Sequence, residues 1–122
     1  MQLTTILALV GASVLSATGV AAAGGFSGSC SGYYISDNHF LVANCGDGSG
    51  GRRDSTIDLN QCIANAGGNL VCRAGGNYGA SCSGCGIRTG AYMTCGCNGT
   101  GATIADLDQC VANYGGNLAC AT

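Results

Sequence analysis

A fifteen-residue string occurs twice in this chain, and the duplication constrains the fold more than any other feature. Residues 58–72 read Asp58-Leu-Asn-Gln-Cys62-Ile-Ala-Asn-Ala-Gly-Gly-Asn-Leu-Val-Cys72, and residues 106–120 read Asp106-Leu-Asp-Gln-Cys110-Val-Ala-Asn-Tyr-Gly-Gly-Asn-Leu-Ala-Cys120, an offset of 48 throughout. Upstream, Ser29-Cys30-Ser-Gly returns as Ser81-Cys82-Ser-Gly and Cys45 returns as Cys97, at an offset of 52. The chain is a tandem duplication, with repeat 1 over about 26–73 and repeat 2 over about 78–122. The four residues missing from the second copy belong in a surface loop, where length changes cost least.

Ahead of the repeats, Leu3 to Val20 is an apolar run closed by Ala21-Ala22-Ala23, a small-residue site of the kind signal peptidase cuts. Residues 1–23 read as a secretory signal, although the α-amino group of Met1 is the sole positive charge of its n-region. A membrane anchor is the competing reading, but about 18 apolar residues interrupted by Ser and Thr make a poor spanning helix. The expectation is a secreted, extracellular protein with no membrane attachment once the signal is removed. Residues 24–122 have the length of one domain and hold all 10 cysteines. In a secreted chain that density marks a disulfide framework. Covalent bonds must stand in for missing burial, because Trp is absent and the aromatic residues are 2 Phe and 5 Tyr.

Every basic residue is Arg and every acidic one Asp, 4 against 6, for a net charge of −2. That excludes the basic surface an electrostatic nucleic-acid binder needs. A weakly charged surface rich in Asn, Ser, Thr and Gly suits neutral hydroxylated ligands, and equally suits no ligand.

Along the chain, Tyr33-Tyr-Ile35 and His39-Phe-Leu-Val42 flank Ser36-Asp37-Asn38, which predicts a hairpin. Cys30 and Cys45 lie symmetrically about its turn. The glycine-rich stretch 46–54 has neither a phosphate-loop pattern nor a helix behind it and reads as a surface loop. Ser55-Thr-Ile57 predicts a short strand entering Asp58, a helix N-cap. Leu59 to Ile63 then predicts one or two helical turns with Leu59 and Ile63 inward. Asn65-Ala-Gly67-Gly68 ends the turn, and Asn69-Leu-Val-Cys72 resumes as strand. After the 73–77 link, Tyr78 to Cys97 repeats the hairpin around Thr89-Gly90, and 98–101 is the shortened loop.

Chemistry for catalysis is missing. His39, the single histidine, has no Ser or free Cys nucleophile motif around it and reads as a packing or surface residue. Asp58 and Asp106 could be drawn as a glycosidase pair, but they occupy equivalent cap positions and read as caps. Cys82-x-x-Cys85 with Cys95-x-Cys97 could be drawn as a four-thiolate zinc site; an even cysteine count in an oxidising compartment favours disulfides instead. No enzyme activity, cofactor or metal is expected. Repeat symmetry suggests the pairs Cys30–Cys45, Cys62–Cys72, Cys82–Cys97 and Cys110–Cys120. Cys85 and Cys95 pair with each other, which requires a bulge in the second hairpin.

The strings Phe26-Ser-Gly-Ser-Cys30, Ser55-Thr-Ile-Asp-Leu-Asn60 and Ile63-Ala-Asn-Ala-Gly-Gly-Asn-Leu70, with their second-half partners, resemble the cyanovirin-N family over the whole chain after residue 23. The resemblance implies an all-β fold of two pseudo-symmetric repeats, built from short strands, hairpins and short helical turns, with strands exchanged between the halves. The Cys30–Cys45 and Cys82–Cys97 bridges match the family; the others are extra. It implies a lectin for mannose-rich glycans or glycoproteins with two sites. By position the first comprises Gly25, Gly28, Ser29, Gly46, Asp47, Gly48, Asn113 and Tyr114. The second comprises Asn65, Ala66, Gly67, Arg73, Asn77, Tyr78, Asn98 and Thr100. Asn98-Gly-Thr100 is also an N-glycosylation sequon, so an attached glycan would block the second site and the first is preferred. The alternative function is a secreted disulfide-rich scaffold or effector-like protein that has lost sugar binding and acts by protein contact. A monomer is expected, because Ala74-Gly75-Gly76 can fold back without strain.

Overall fold

The computed structural model of the protein describes residues 24–98 and 101–121; the expected secretory signal 1–23, together with Gly99, Thr100 and Thr122, lies outside them. Repeat 1 forms an antiparallel sheet of β1 (Cys30–Ser36), β2 (Phe40–Gly46) and β3 (Arg52–Asp58), then a hairpin of β4 (Ile63–Ala66) and β5 (Asn69–Cys72). Repeat 2 forms β6 (Cys82–Thr89), β7 (Tyr92–Cys97) and β8 (Ala102–Asp106), a one-turn helix α1 (Leu107–Cys110), and a hairpin of β9 (Val111–Tyr114) and β10 (Asn117–Cys120). A short 3₁₀ turn precedes each sheet, at Phe26–Gly28 and Tyr78–Ala80.

The central strands follow period-2 burial: Leu41, Ala43 and Cys45 face inward from β2, while Met93, Cys95 and Cys97 do so from β7. Both predicted hairpins form. Asp37 and Asn38 take positive φ at the first turn, and Asn38 then sews that tip to the other half. Its amide donates to the Cys82 carbonyl at 2.9 Å, its Oδ1 accepts from the Cys85 N–H at 3.1 Å, and its carbonyl accepts the Tyr78 hydroxyl at 2.9 Å. The register shifts between Ser83 and Gly86, the bulge that lets Cys85–Cys95 and Cys82–Cys97 sit in one hairpin. All four of these cysteines are therefore in disulfides, not in a zinc site.

Asp58 and Asp106 are N-caps, each accepting at 3.0 Å from the backbone N–H two residues on. The segment after Asp58 differs from expectation. Its helical part is a single 3₁₀ turn, Leu59–Gln61, and Ile63 already belongs to β4. Asn65 and Ala66 are strand, and Gly67-Gly68, with φ of 66° and 98°, makes the two-residue turn of a hairpin. A Gly-Gly pair permits the doubly positive φ of such a turn, and the hairpin it closes outcompetes an isolated helical turn. Likewise β3 begins at Arg52, so the loop before it is only 47–51.

The two small hairpins cross over. β10 packs beside β3 and β5 beside β8. The Leu118 N–H donates to Ser55 Oγ at 2.9 Å, and the Leu70 N–H to Thr103 Oγ1 at 3.4 Å. Their cysteines cross too: the bridges are Cys62–Cys120 and Cys72–Cys110, each with Cα atoms 5.2 Å apart. The expected Cys62–Cys72 and Cys110–Cys120 pairs are thus wrong. The reason is register. Ile63 stands opposite Cys72 and Val111 opposite Cys120, so Cys62, in the cap of the 3₁₀ turn, and Cys110, the last residue of α1, fall one residue outside their own hairpins and neither stands across from that hairpin's other cysteine. Cys30–Cys45 and Cys82–Cys97 form as expected. The core is pseudo-symmetric as well, pairing Phe26 with Tyr78, Leu41 with Met93, Leu59 with Leu107 and Ile63 with Val111, all fully buried.

Candidate functional site

The exchange brings residues from both repeats to one end of the molecule. Gly46, at the end of β2, donates its N–H to the Ser29 carbonyl at 2.8 Å. Asn113 on β9 reaches across, its amide donating to Ser29 Oγ and to the Gly46 carbonyl, each at 2.9 Å, while its Oδ1 accepts the Gly116 N–H at 2.8 Å. Ser29, Gly46, Asp47 and Asn113 are therefore gathered as expected. Asn113 differs in role: both amide hydrogens and its oxygen are engaged, so it is a strut between β9 and the first sheet.

Asp47 begins the next loop. Its Oδ1 accepts the Ser49 N–H at 2.8 Å and the Gly51 N–H at 3.1 Å. These two bonds, helped by the Arg53 guanidinium, hold the carboxyl below its ordinary value. Oδ2 has no partner among the described residues and lies beside Gly51, where a Cβ would come within 2.7 Å of it. The rim is completed by residues that sequence reasoning passed over. Gly115-Gly116 turns with φ of 62° and 97°, and a Cβ on Gly116 would lie 2.5 Å from Arg53 Cδ. Arg53 Nη1 is 3.4 Å from Asn117 Oδ1. Only the crossing of β10 onto β3 places them here, and no local motif signals it. Tyr114, 44% exposed, presents its ring at the same hairpin end. Gly25 takes φ of 76° and donates to the Asp108 carbonyl at 2.6 Å, and Gly28 bonds back to Gly25. Nothing would meet a Cβ at Gly28 or Gly48.

The pseudo-symmetric place in repeat 2 is built alike. Asn65 donates to Ser81 Oγ at 2.9 Å and accepts the Gly68 N–H at 2.7 Å, and the Asn98 N–H donates to the Ser81 carbonyl at 3.1 Å. Asn77 has φ of 53° and Asn98 φ of 54°; the Arg73 N–H closes on the Cys62 carbonyl. Tyr78 does not belong to this surface. Its ring is fully buried, with its hydroxyl on the Asn38 carbonyl, and burial pushes the phenol pKa well up. Ala66 stands where Tyr114 does and Gly67 lies in the hairpin turn, so the hairpin tip at this end presents no aromatic face. Thr100 lies outside the described residues.

The CVNH domain family model matches residues 26–119. Similar solved structures include GzCVNH from Gibberella zeae, 25% identical with a TM-score of 0.70, covering 80% of this chain and 97% of that one. TbCVNH from T. borchii is 24% identical with a TM-score of 0.68, covering 78% and 97%. A microvirin:mannobiose complex is 25% identical with a TM-score of 0.59, covering 80% and 98%. A search of curated proteins gave no match.

Proposed function

Because the chain belongs to the CVNH domain family, we propose that it is a secreted, monomeric lectin that binds mannose-type oligosaccharides without catalysis. The binding end is the one carrying Asp47 and Tyr114. The observation that carries this reading is the Asp47 carboxylate: Oδ1 is fixed by two backbone N–H groups, Oδ2 has no partner among the described residues, and the Gly115–Gly116 turn that follows exposed Tyr114 comes up against the Asp47 loop. A fixed charged acceptor can take hydroxyl protons from a sugar, and a ring face can take its C–H face. The microvirin relative has a solved complex with mannobiose, which supports an α-linked mannoside as the first ligand to test. Non-catalysis is supported by the use of both candidate carboxylates, Asp58 and Asp106, as caps in separate repeats.

The repeat 2 end is the weaker one. Ala66 stands where Tyr114 does, Tyr78 is buried, and Asn98, exposed at a turn, is the acceptor of the sequon. A glycan there would cover the Asn65–Ser81 surface.

Calorimetry with α-linked mannobiose tests the proposal. Asp47→Asn keeps the acceptor that closes the loop and removes the charged one. A hydrogen bond to a charged group is worth about 1.5–3 kcal/mol, so affinity should fall about tenfold to a hundredfold with only a small fall in melting temperature. Asn65→Ala should leave binding unchanged. If the unmutated protein binds no mannoside in the millimolar range, the alternative of a scaffold acting by protein contact replaces the lectin reading.

A further inference from the structure

A second surface of this chain has the composition of a ligand site, and it lies on the opposite edge of the β4–β5 hairpin from Asn65 and Ser81. Where β5 runs beside β8, a groove of about 350 Å³ opens between Leu70, Val71 and the Cys72–Cys110 bridge on one side and Ile104, Asp106 and Gln109 on the other. That volume is at the small end of ligand pockets, roughly 300–1,000 Å³. Its polar groups are only partly spent. Asp106 uses Oδ1 to cap α1; Oδ2 and the Gln109 carboxamide have no partner among the described residues.

The repeats differ here. The carbonyls of His39 and Ala91 accept from Leu59 and Leu107 respectively, so the two residues are structural equivalents. His39 sets its Nδ1 2.7 Å from Asp58 Oδ1, whereas Ala91 offers Asp106 no polar group. Tyr92 stands directly opposite Asp106, and Ile104 two residues along shares that face. Tyr92 is 48% exposed and Ile104 60%.

We propose that this groove is a saccharide-binding site of its own, for an N-acetylhexosamine unit. A carboxylate oxygen and a carboxamide match a ring that carries hydroxyl and amide hydrogens. Tyr92, across β8 from the groove but opposite Asp106 and exposed on the face it shares with Ile104, offers a neighbouring aromatic surface. The aliphatic wall of Leu70, Val71 and Ile104 receives the acetamido methyl group. No cation lines the groove among the described residues, which disfavours an anionic ligand. None of its residues belongs to the Asp47 end, so the proposal stands or falls independently of the mannoside reading.

The test is a titration of ¹⁵N-labelled protein with methyl N-acetyl-β-glucosaminide and, in parallel, methyl α-mannoside. Expected are saturable amide shifts at Val71, Ile104, Asp106 and Gln109 with the first sugar. Ile104→Asn and Gln109→Ala should each weaken them by about fivefold, the worth of one neutral contact. Ile104 is exposed, so the fold tolerates the change, and the dispersion of the remaining amides reports it. Asp47→Asn, aimed at the other end, should leave these shifts in place. Absence of saturable shifts at the four amides, their loss in Asp47→Asn, or equal shifts with the mannoside would each overturn the proposal.

Discussion

Removing one of the two bridges that join the repeats should weaken the fold by less than its loop length suggests, and the difference is calculable. Cys62–Cys120 spans 58 residues and Cys72–Cys110 spans 38, the second nested inside the first. Taken alone, each closure is worth about 4 kcal/mol in the chain-entropy model. With the outer bridge in place, however, closing the inner one ties off only the two arms 62–72 and 110–120, a loop of about 20 residues worth about 3 kcal/mol. Cys72→Ala combined with Cys110→Ala should therefore lower the melting temperature by about 12–24 °C. Loss of both bridges should cost about 7 kcal/mol, comparable to the whole stability of a small domain. Scanning calorimetry reads the first number. Trypsin reads the connectivity, because cleavage at Arg53, Arg73 and Arg88 leaves Cys62 and Cys72 together in peptide 54–73. In the crossed arrangement that peptide stays bound to 89–122 until reduction. Free release of peptide 54–73 under non-reducing conditions would refute the crossing, and a melting shift of only a degree or two would refute the entropic reasoning.

Two further outcomes rest on particular atoms. Asp47 has a folded pKa below the ordinary carboxylate value of 3.8, so its contribution is complete above that value and is lost only as pH falls through the depressed one. Mannoside affinity should accordingly be flat from neutral pH down to 3.8 and drop only below it; a midpoint above that value would show that another group controls binding. At the link between repeats, the Gly75 N–H bonds back to the Gln61 carbonyl, and a Cβ on Gly76 would sit against the Ile63 backbone. Gly76→Ala should therefore open the link and shift the protein toward a dimer with exchanged halves. Because the cross-repeat bridges would then join two chains, that dimer should survive a non-reducing denaturing gel and vanish on reduction. A variant that remains wholly monomeric would show that the link does not hold the chain back.

Local signals in the sequence are sufficient for the main hairpins, the caps and the bulge, but not for β4, whose start at Ile63 is hidden behind the cap at Asp58. Asp37-Asn38 marks a turn, Asp58 and Asp106 mark caps, and the mismatch between Cys85–Cys95 and Cys82–Cys97 calls for a bulge. The crossing is not legible, for a reason of symmetry. Pairing 62 with 72 and 110 with 120 respects the repeat, and pairing 62 with 120 and 72 with 110 respects it equally. Only the register of the hairpin separates the two, and it depends on reading Gly67-Gly68 as a two-residue turn instead of the end of a helix. Matched polar residues mislead in the same way. Asn65 and Asn113 recur because each stands two residues before a Gly-Gly turn and accepts from its second N–H; recurrence marks the scaffold.

The same symmetry separates ligand surfaces from scaffold. What both halves need in order to fold is present twice, whereas residues that serve a ligand are free to differ. Where Tyr33 packs edge-on against Phe26 at 5.0 Å, repeat 2 has Cys85 and its bridge, two solutions to one stability problem, both packed against the core. The differences that change the polar or aromatic surface are of another kind. Asp47 with its long loop faces a shortened loop in repeat 2, Tyr114 faces Ala66, and His39 on Asp58 faces Ala91 beside an open Asp106. None of these three differences fills a core position that the other half fills with a residue of like size. Each instead changes which polar or aromatic group meets solvent. In a duplicated fold the symmetric positions answer to packing, so the unsymmetric surface is where binding has to be sought, and here it falls at the Asp47 end and along the β5–β8 groove.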